Sequence, residues 1–317
     1  MKLRSWRAAT AAMVMTWTCA AMGESTPSIP GVVAADTPVE LLRDGYESVE
    51  GPLPRADDSV LFTNARAHRI ERLAADGTPS VWWEGEGGAN ALTVMPDGDI
   101  ATTLTERRAI GIVRQGEPAT VLVEAYDGTP FNRPNDLVAS RRGDIYFSDT
   151  AAAAGGATAT LPAALYLWSA KGELVRLDTD VGRPNGVALS PDERTLYAAD
   201  TGGVWVRAYT LGKDGRPTGR RDFARLALPA PPADGPAPTG AGADGLLVDA
   251  RGRLFVATSV GVQVFSPGGE PLGTIALPKI PQNLAFAGAG RRDLVVVGRG
   301  AVYRIHTQTR GVKRTGK

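Results

Sequence analysis

Four oxygen-bearing side chains of this chain share one local setting: Glu50 before Gly51-Pro52, Asn135 in Pro134-Asn135-Asp136, Asn185 in Pro184-Asn185-Gly186, and Asp244 in Ala243-Asp244-Gly245. Each stands beside Gly, Pro or Asp just before an apolar segment, and turn chemistry alone explains any one of them. Four from separate segments form an all-oxygen set of two carboxylates and two amides. That set suits Ca²⁺ and can also hold Mg²⁺ or Mn²⁺. The asparagines belong to a repeated phrase, in which Phe131-Asn132-Arg133-Pro134-Asn135-Asp136-Leu137 returns as Arg183-Pro184-Asn185-Gly186-Val187, with 50 positions between Asn135 and Asn185. Proline fixes its own φ and pushes the residue before it toward extended geometry, so each Arg-Pro-Asn is a stiff corner that presents an amide in a set direction.

Rival chemistries find few residues. The chain has only His68 and His306, with no histidine pair at helical spacing, which argues against a His-ligated zinc hydrolase. It has no Gly-x-Ser-x-Gly elbow for a serine lactonase. Its single cysteine, Cys19, lies in a leader-like segment, so a processed chain carries no disulfide or thiolate chemistry. Asp149 and Asp200 each end a strand before Thr and read as turn caps bonding to backbone. Asn90 is read either as facing the same point as the four residues or as a satisfied turn amide. Trp82, Trp83 and Trp205 read as packing.

The elements that must carry these residues are short strands. After the leader no helical periodicity of useful length appears, β-branched and aromatic residues fill the apolar runs, and 38 Gly and 23 Pro supply turns between them. Six matched turn-plus-strand units align on Leu61, Ile100, Ile145, Leu196, Leu254 and Leu294, spaced by 39, 45, 51, 58 and 40 residues. That is the period of a four-stranded propeller blade, roughly 40–50 residues. The expected fold is all-β, a six-bladed β-propeller of four-stranded blades over residues 40–306, with a central metal-binding channel. The widest interval contains 227–243, rich in Pro, Ala and Gly, which reads as an inserted surface loop next to Asp244.

Lys2, Arg4 and Arg7 precede an uncharged run ending in small residues, so 1–23 reads as a secretory signal peptide, with export to the periplasm or medium. A lipid anchor on Cys19 is the weaker alternative, because Thr16-Trp17-Thr18 is a poor lipobox. Residues 24–39 form a lead-in and 307–317 a basic, solvated tail. With 43% hydrophobic and 22% charged residues the composition is that of an ordinary globular chain rather than a disordered one. A formal net charge of +1 argues against nucleic acid or an anionic membrane as partner, and no stable membrane association is expected after signal cleavage.

Over about residues 45–305 the chain resembles the SMP-30/gluconolactonase/luciferin-regenerating family of six-bladed propeller hydrolases. The pieces that carry the resemblance begin with Glu50-Gly51-Pro52, Gly88-Ala89-Asn90-Ala91-Leu92, Pro96-Asp97-Gly98, Arg133 to Leu137, and Ile145 to Asp149. They continue with Arg183 to Glu193, Ala243-Asp244-Gly245, Gly261 to Phe265, and Gln282 to Phe286. The resemblance implies metal ligands at Glu50, Asn185 and Asp244, with Asn135 a further ligand or a contact to substrate or water. It implies a substrate-binding role for Arg133 and a general base at Asp244. The implied function is a metal-dependent lactonase acting on a small-molecule lactone or ester, gluconolactone for instance, with one divalent cation. Ca²⁺ is favoured, and Zn²⁺, Mg²⁺ or Mn²⁺ are alternatives. The rival readings are an ester or phosphotriester hydrolase on the same site, and a non-catalytic binding propeller. The alanine-rich run 150–157, with the 227–243 insert, suggests a mouth open to less polar lactones.

Overall fold

The structure, a computed structural model, describes residues 26–151 and 159–313. The signal-peptide segment, Cys19 and most of the alanine-rich run lie outside the described residues. Within them, six four-stranded antiparallel sheets follow one another, each the blade of a propeller. Their innermost strands are Val49–Pro54, Ala89–Val94, Pro134–Ala139, Pro184–Leu189, Leu246–Val248 and Asn283–Ala287. The sixth sheet is completed by an N-terminal strand, Glu40–Arg43, which pairs with Ala301–His306 and so ties the two ends of the ring together. The regular spacing of matched units does not reveal that closure, because Glu40–Arg43 is exposed on its outer edge and lacks the apolar run of an inner strand.

The inner and second strands are buried along almost their whole length because each blade packs on two neighbours. Alternation is therefore lost there, and the runs read as continuously apolar. Buried side chains fall into six clusters, each at a junction between consecutive blades, such as Val49, Phe62, Val295 and Val302 where the sixth meets the first. The 227–243 insert has no strand of its own. Its end is stitched to the fourth and fifth blades, Ala241 N–H donating to Gly203 O at 3.0 Å and Ser259 N–H to Ala241 O at 3.0 Å.

Two segments are more tightly held than their composition suggests. Ile29, Val32, Val33 and Val39 of the lead-in are buried against the fifth and sixth blades. The described part of the C-terminal segment is not a solvated tail. Thr307, Thr309 and Val312 are buried, Thr309 Oγ1 donates to Asp249 Oδ2 at 2.9 Å, and Gly311 bridges to Asp249. Thr309 bonds a buried carboxylate and Thr307 bonds backbone carbonyls, so polarity there does not signal exposure.

What places the site is a bulge near the start of the inner strand. Pairing with the second strand shifts register between Glu50 and Leu53, Ala89 and Leu92, Pro134 and Leu137, and Pro184 and Val187. A bulge re-aims the side chains beside it, here those of Glu50, Asn90, Asn135 and Asn185. Backbone bonds put Asp244 and Gln282 at the same station, since Asp244 N–H donates to Ala257 O at 2.9 Å and Gln282 N–H to Val297 O at 2.8 Å. The next residue must let the following blade approach. A Cβ on Gly186 would stand 2.1 Å from Asp244 O and 2.8 Å from Leu246 N, and one on Gly51, which also has φ of +50°, would stand 2.5 Å from Asn90 O. Glycine follows Glu50, Asn185 and Asp244 for this steric reason.

The consequence is testable at Gly186. Gly186→Ala should destabilise the fold by about 3 kcal/mol in urea unfolding, because the intruding methyl meets backbone that cannot rotate away. Gly219→Ala, in the outer strand Pro217–Arg225 with nothing within 4 Å of its Cβ, should lie within about 0.5 kcal/mol of wild type. Equal effects at the two positions would refute the close-approach account.

Candidate functional site

The two Arg-Pro-Asn corners are held by the same device. Asp149 ends the second strand of the third blade, is fully buried, and accepts Asn132 N–H at 2.9 Å and Arg133 N–H at 2.6 Å. Asp200, one blade on, accepts Gly182 N–H at 3.2 Å and Arg183 N–H at 3.0 Å. The following threonines close each corner from the other side, Thr150 N–H bonding Arg133 O and Thr201 N–H bonding Arg183 O. Asp149 and Asp200 are thus backbone caps, as their place before Thr suggests. They act on the very corners that carry the candidate residues.

A relay from the fourth blade to the fifth fixes the orientation of the Asn185 amide. Asn185 Nδ2 donates to Thr201 Oγ1 at 3.1 Å, and Thr201 Oγ1 donates its single proton to Ala243 O at 2.8 Å. The hydroxyl can only accept from Asn185, so the amide nitrogen must point to it. Asn185 Oδ1 is then turned the other way, buried and without a hydrogen-bond partner. A buried acceptor without a donor costs free energy unless something electropositive meets it.

Three carboxylates share this part of the channel, near enough for Glu50 and Asp136 to act on Asp244. Burial, then the charges of Glu50 and Asp136, push the Asp244 carboxyl well above the ordinary range for aspartate, while a hydrogen bond from Asn185 and the Arg299 charge pull it down. Glu50 is buried and locked, accepting Gln282 Nε2 at 3.2 Å on Oε1 and Asn283 Nδ2 at 3.1 Å on Oε2. Asp136 spends its oxygens on backbone, Oδ1 accepting Leu137 N–H and Oδ2 accepting Val187 N–H of the next blade, both at 2.9 Å. Glu50, Asn185 and Asp244 are brought together. Asn135 occupies the equivalent bulge of the third blade, half-buried, and its carbonyl accepts from Asn90 Nδ2 and Thr103 Oγ1 of the second. Arg133 is exposed on the same face.

Among the described residues no group of three or more His, Cys, Asp and Glu forms a ready metal cage. The donor set nevertheless fits a hard cation: two carboxylates that repel each other, an orphaned amide oxygen and a second amide one blade away call for positive charge held by oxygen. Three participants were not foreseen as a group. Asn90 and Gln282 sit at the ring station of the second and sixth blades, and Asp136 pins the third blade to the fourth. A sequence signal for Asp136 exists, since the station after each ring residue is otherwise Gly, Ala or Asn.

Asp149 gives this arrangement a pH signature. Burial raises its carboxyl to about 6, against the bonds from Asn132 and Arg133. A folded-state value above the unfolded one means that protonation favours the folded chain, so this contribution is present below about pH 4 and lost as pH rises through about 6. Asp149→Asn removes it. The stability gap between wild type and variant in urea unfolding should widen by about 2 kcal/mol from pH 7.5 to pH 4.5. A gap that stays constant or narrows would show that Asp149 remains ionised throughout.

Comparison with known proteins matches residues 49–299 to the SMP-30/Gluconolactonase/LRE-like region. A gluconolactonase of Zymomonas mobilis subsp. mobilis is 29% identical over 317 aligned positions, covering 90% of this chain and 86% of that one. The solved gluconolactonase XC5397 of Xanthomonas campestris superposes with a TM-score of 0.75 at 29% identity, covering 86% of this chain and 90% of that one. Regucalcin of Agrobacterium tumefaciens, described as a calcium-binding protein, shares the fold with a TM-score of 0.71 at 20% identity, over 88% of this chain and 97% of that one. With six blades, the bulged inner strands and a match over most of its length, the chain belongs to the SMP-30/gluconolactonase/LRE-like family.

Proposed function

We propose that the chain hydrolyses a small-molecule lactone with the help of one divalent cation, Ca²⁺ before Zn²⁺, Mg²⁺ or Mn²⁺. The observation that carries this reading is the unpartnered Oδ1 of Asn185, buried beside Asp244 and Glu50. The similarity to gluconolactonases supports the reaction class. Glu50, Asn185 and Asp244 would hold the cation, with Asn135 as a further ligand or as a contact to substrate or water. When bound, the cation supplies Lewis-acid polarisation of the lactone carbonyl.

The chain's own groups divide the remaining work. Asp244 takes the proton of the attacking water, and its half-buried carboxyl suits a base that must be both near the carbonyl and partly desolvated. Glu50 keeps a fixed rotamer through its bonds from Gln282 and Asn283, so the ligand geometry is set before substrate arrives. Arg133, on a corner held by Asp149, orients the substrate from the rim. The leader read in residues 1–23 supports placing this activity outside the cytoplasm.

Prolonged chelation should abolish lactone hydrolysis, and Ca²⁺ or another divalent ion should restore it. Full activity in metal-free protein would sink the assignment. Asp244→Asn keeps size and one oxygen but removes the base, and should lower kcat by roughly 10²–10⁴-fold. Glu50→Gln and Asn185→Ala should each weaken cation binding in calorimetry, and unchanged binding in both would remove them from the ligand set.

A further inference from the structure

The duplication of the Arg-Pro-Asn corner supplies an arginine that the ligand set does not use. Arg183 stands two residues before Asn185 as Arg133 stands two before Asn135. Both are exposed on the face that carries the ring, and neither guanidinium has a hydrogen bond or ion pair among the described residues. The nearest carboxylates were available to neutralise them and do not. Asp149 and Asp200 bond instead to the backbone N–H groups of Arg133 and Arg183, at 2.6 and 3.0 Å, which fixes the corners and leaves the side-chain charge uncompensated. Arg183 lies along the Asp200–Gly203 turn, its Cδ within 3.5 Å of a Cβ built on Gly202, where a larger side chain would displace it.

The sixth blade adds a third cation. Arg299 is exposed, held in a left-handed turn with φ of +50°, and its N–H donates to Gln282 Oε1 at 2.8 Å, on the same amide that bonds Glu50. Several other surface arginines are matched with acids at close range, Arg72 with Asp57 at 2.7 Å and Arg220 with Asp178 at 3.0 Å being examples, while others, Arg66 and Arg194 among them, have no ion pair among the described residues. Apart from Glu50, Asp136 and Asp244 of the ring and the corner-holding Asp149 and Asp200, Glu106 of the second blade packs over Gly88 and faces His68 at 3.8 Å.

We propose that Arg183 is a second substrate-contacting arginine, paired with Arg133 on the adjacent corner and opposed by Arg299, and that the site selects lactones bearing an anionic substituent such as a carboxylate, sulfonate or phosphate. Guanidinium forks bind such oxyanions by paired, charge-assisted hydrogen bonds that a neutral hydroxymethyl group cannot match. This rests on the lactonase reading above. It also runs against the expectation of a mouth suited to less polar lactones, which depends on an alanine run mostly outside the described residues.

The test compares D-glucono-1,4-lactone with D-glucaro-1,4-lactone, which keeps the ring and puts a carboxylate in place of the terminal hydroxymethyl group, on the Ca²⁺-loaded full chain. Wild type should favour the glucarolactone in kcat/KM, with a preference that shrinks as salt rises. Arg183→Gln should cut kcat/KM for the glucarolactone about 10–100-fold more than for the gluconolactone. Arg183→Lys, which keeps the charge and loses the fork, should fall between. A wild-type preference for the neutral lactone, or equal losses on both in Arg183→Gln, would overturn the proposal. Should neither lactone be hydrolysed, the lactonase reading fails while calorimetry still decides the charge preference. Glucarate should bind more tightly than gluconate by an increment that Arg183→Gln removes, and an increment insensitive to Arg183 overturns the proposal there too.

Discussion

Everything at the site depends on how closely the inner strands approach one another around the channel. A continuous belt of hydrogen bonds joins them: Thr63 Oγ1 to Asn90 O, Asn90 Nδ2 to Asn135 O, Val187 N to Asp136 Oδ2, Gly186 N to Asp244 O, Gly245 N to Gln282 O, and Asn283 Nδ2 to Glu50 Oε2. Each link crosses from one blade to the next and the last returns to the first. Groups buried at a sheet edge must find partners or carry a desolvation cost. Here the neighbouring blade provides them, so the bulge that aims the side chains inward also exposes the backbone groups that hold the ring together. The belt admits only small residues after the ring station, or side chains such as Asp136 and Asn283 that themselves become links.

This explains what could be read in advance. The blade period, the strand character and the four oxygen-bearing stations are local properties, carried by β-branched runs, turn residues and the Arg-Pro-Asn phrase. The stations were visible because glycine or proline had to accompany them. Asn90 and Gln282 were harder to place, since Ala91 and Asn283 replace the tell-tale glycine. The closing strand Glu40–Arg43 and the buried Thr309 are decided by partners more than fifty residues away, and no pattern in their own neighbourhood announces them. The polar C-terminal segment 307–317 reads as a solvated tail because composition reports average solvation. It does not report whether a distant carboxylate such as Asp249 needs a donor.

Charge at the site follows a similar division of labour. Of the acids near the channel, Asp149, Asp200 and Asp136 bond to backbone N–H groups, whereas Glu50 is held chiefly by the side-chain amides of Gln282 and Asn283, and its charge raises the carboxyl of Asp244. Two carboxylates near each other in a partly desolvated channel are costly unless one is protonated or positive charge is close by. The amide of Asn185 lowers the Asp244 carboxyl through a hydrogen bond but cannot flip to offer more, because Thr201 and Ala243 dictate its orientation. Under the proposed function, a cation among Glu50, Asn185 and Asp244 would offset that repulsion.

The pair also straddles the seam of the ring. Glu50 belongs to the first blade and Asp244 to the fifth, and the residues that lock Glu50, Gln282 and Asn283, open the sixth blade, whose outer strand is the N-terminal one. A cation held by Glu50 and Asp244, as proposed, would span the blade in which the strand Glu40–Arg43 closes the ring on Ala301–His306. Binding energy at that point is linked to closure: whatever favours the gathered ligands favours the closed ring by the same amount. Function and fold then make the same demand on Glu50. Its burial between two amides is tolerable for the fold because the hydrogen bonds are complete, and it is useful to the site because the carboxylate cannot wander.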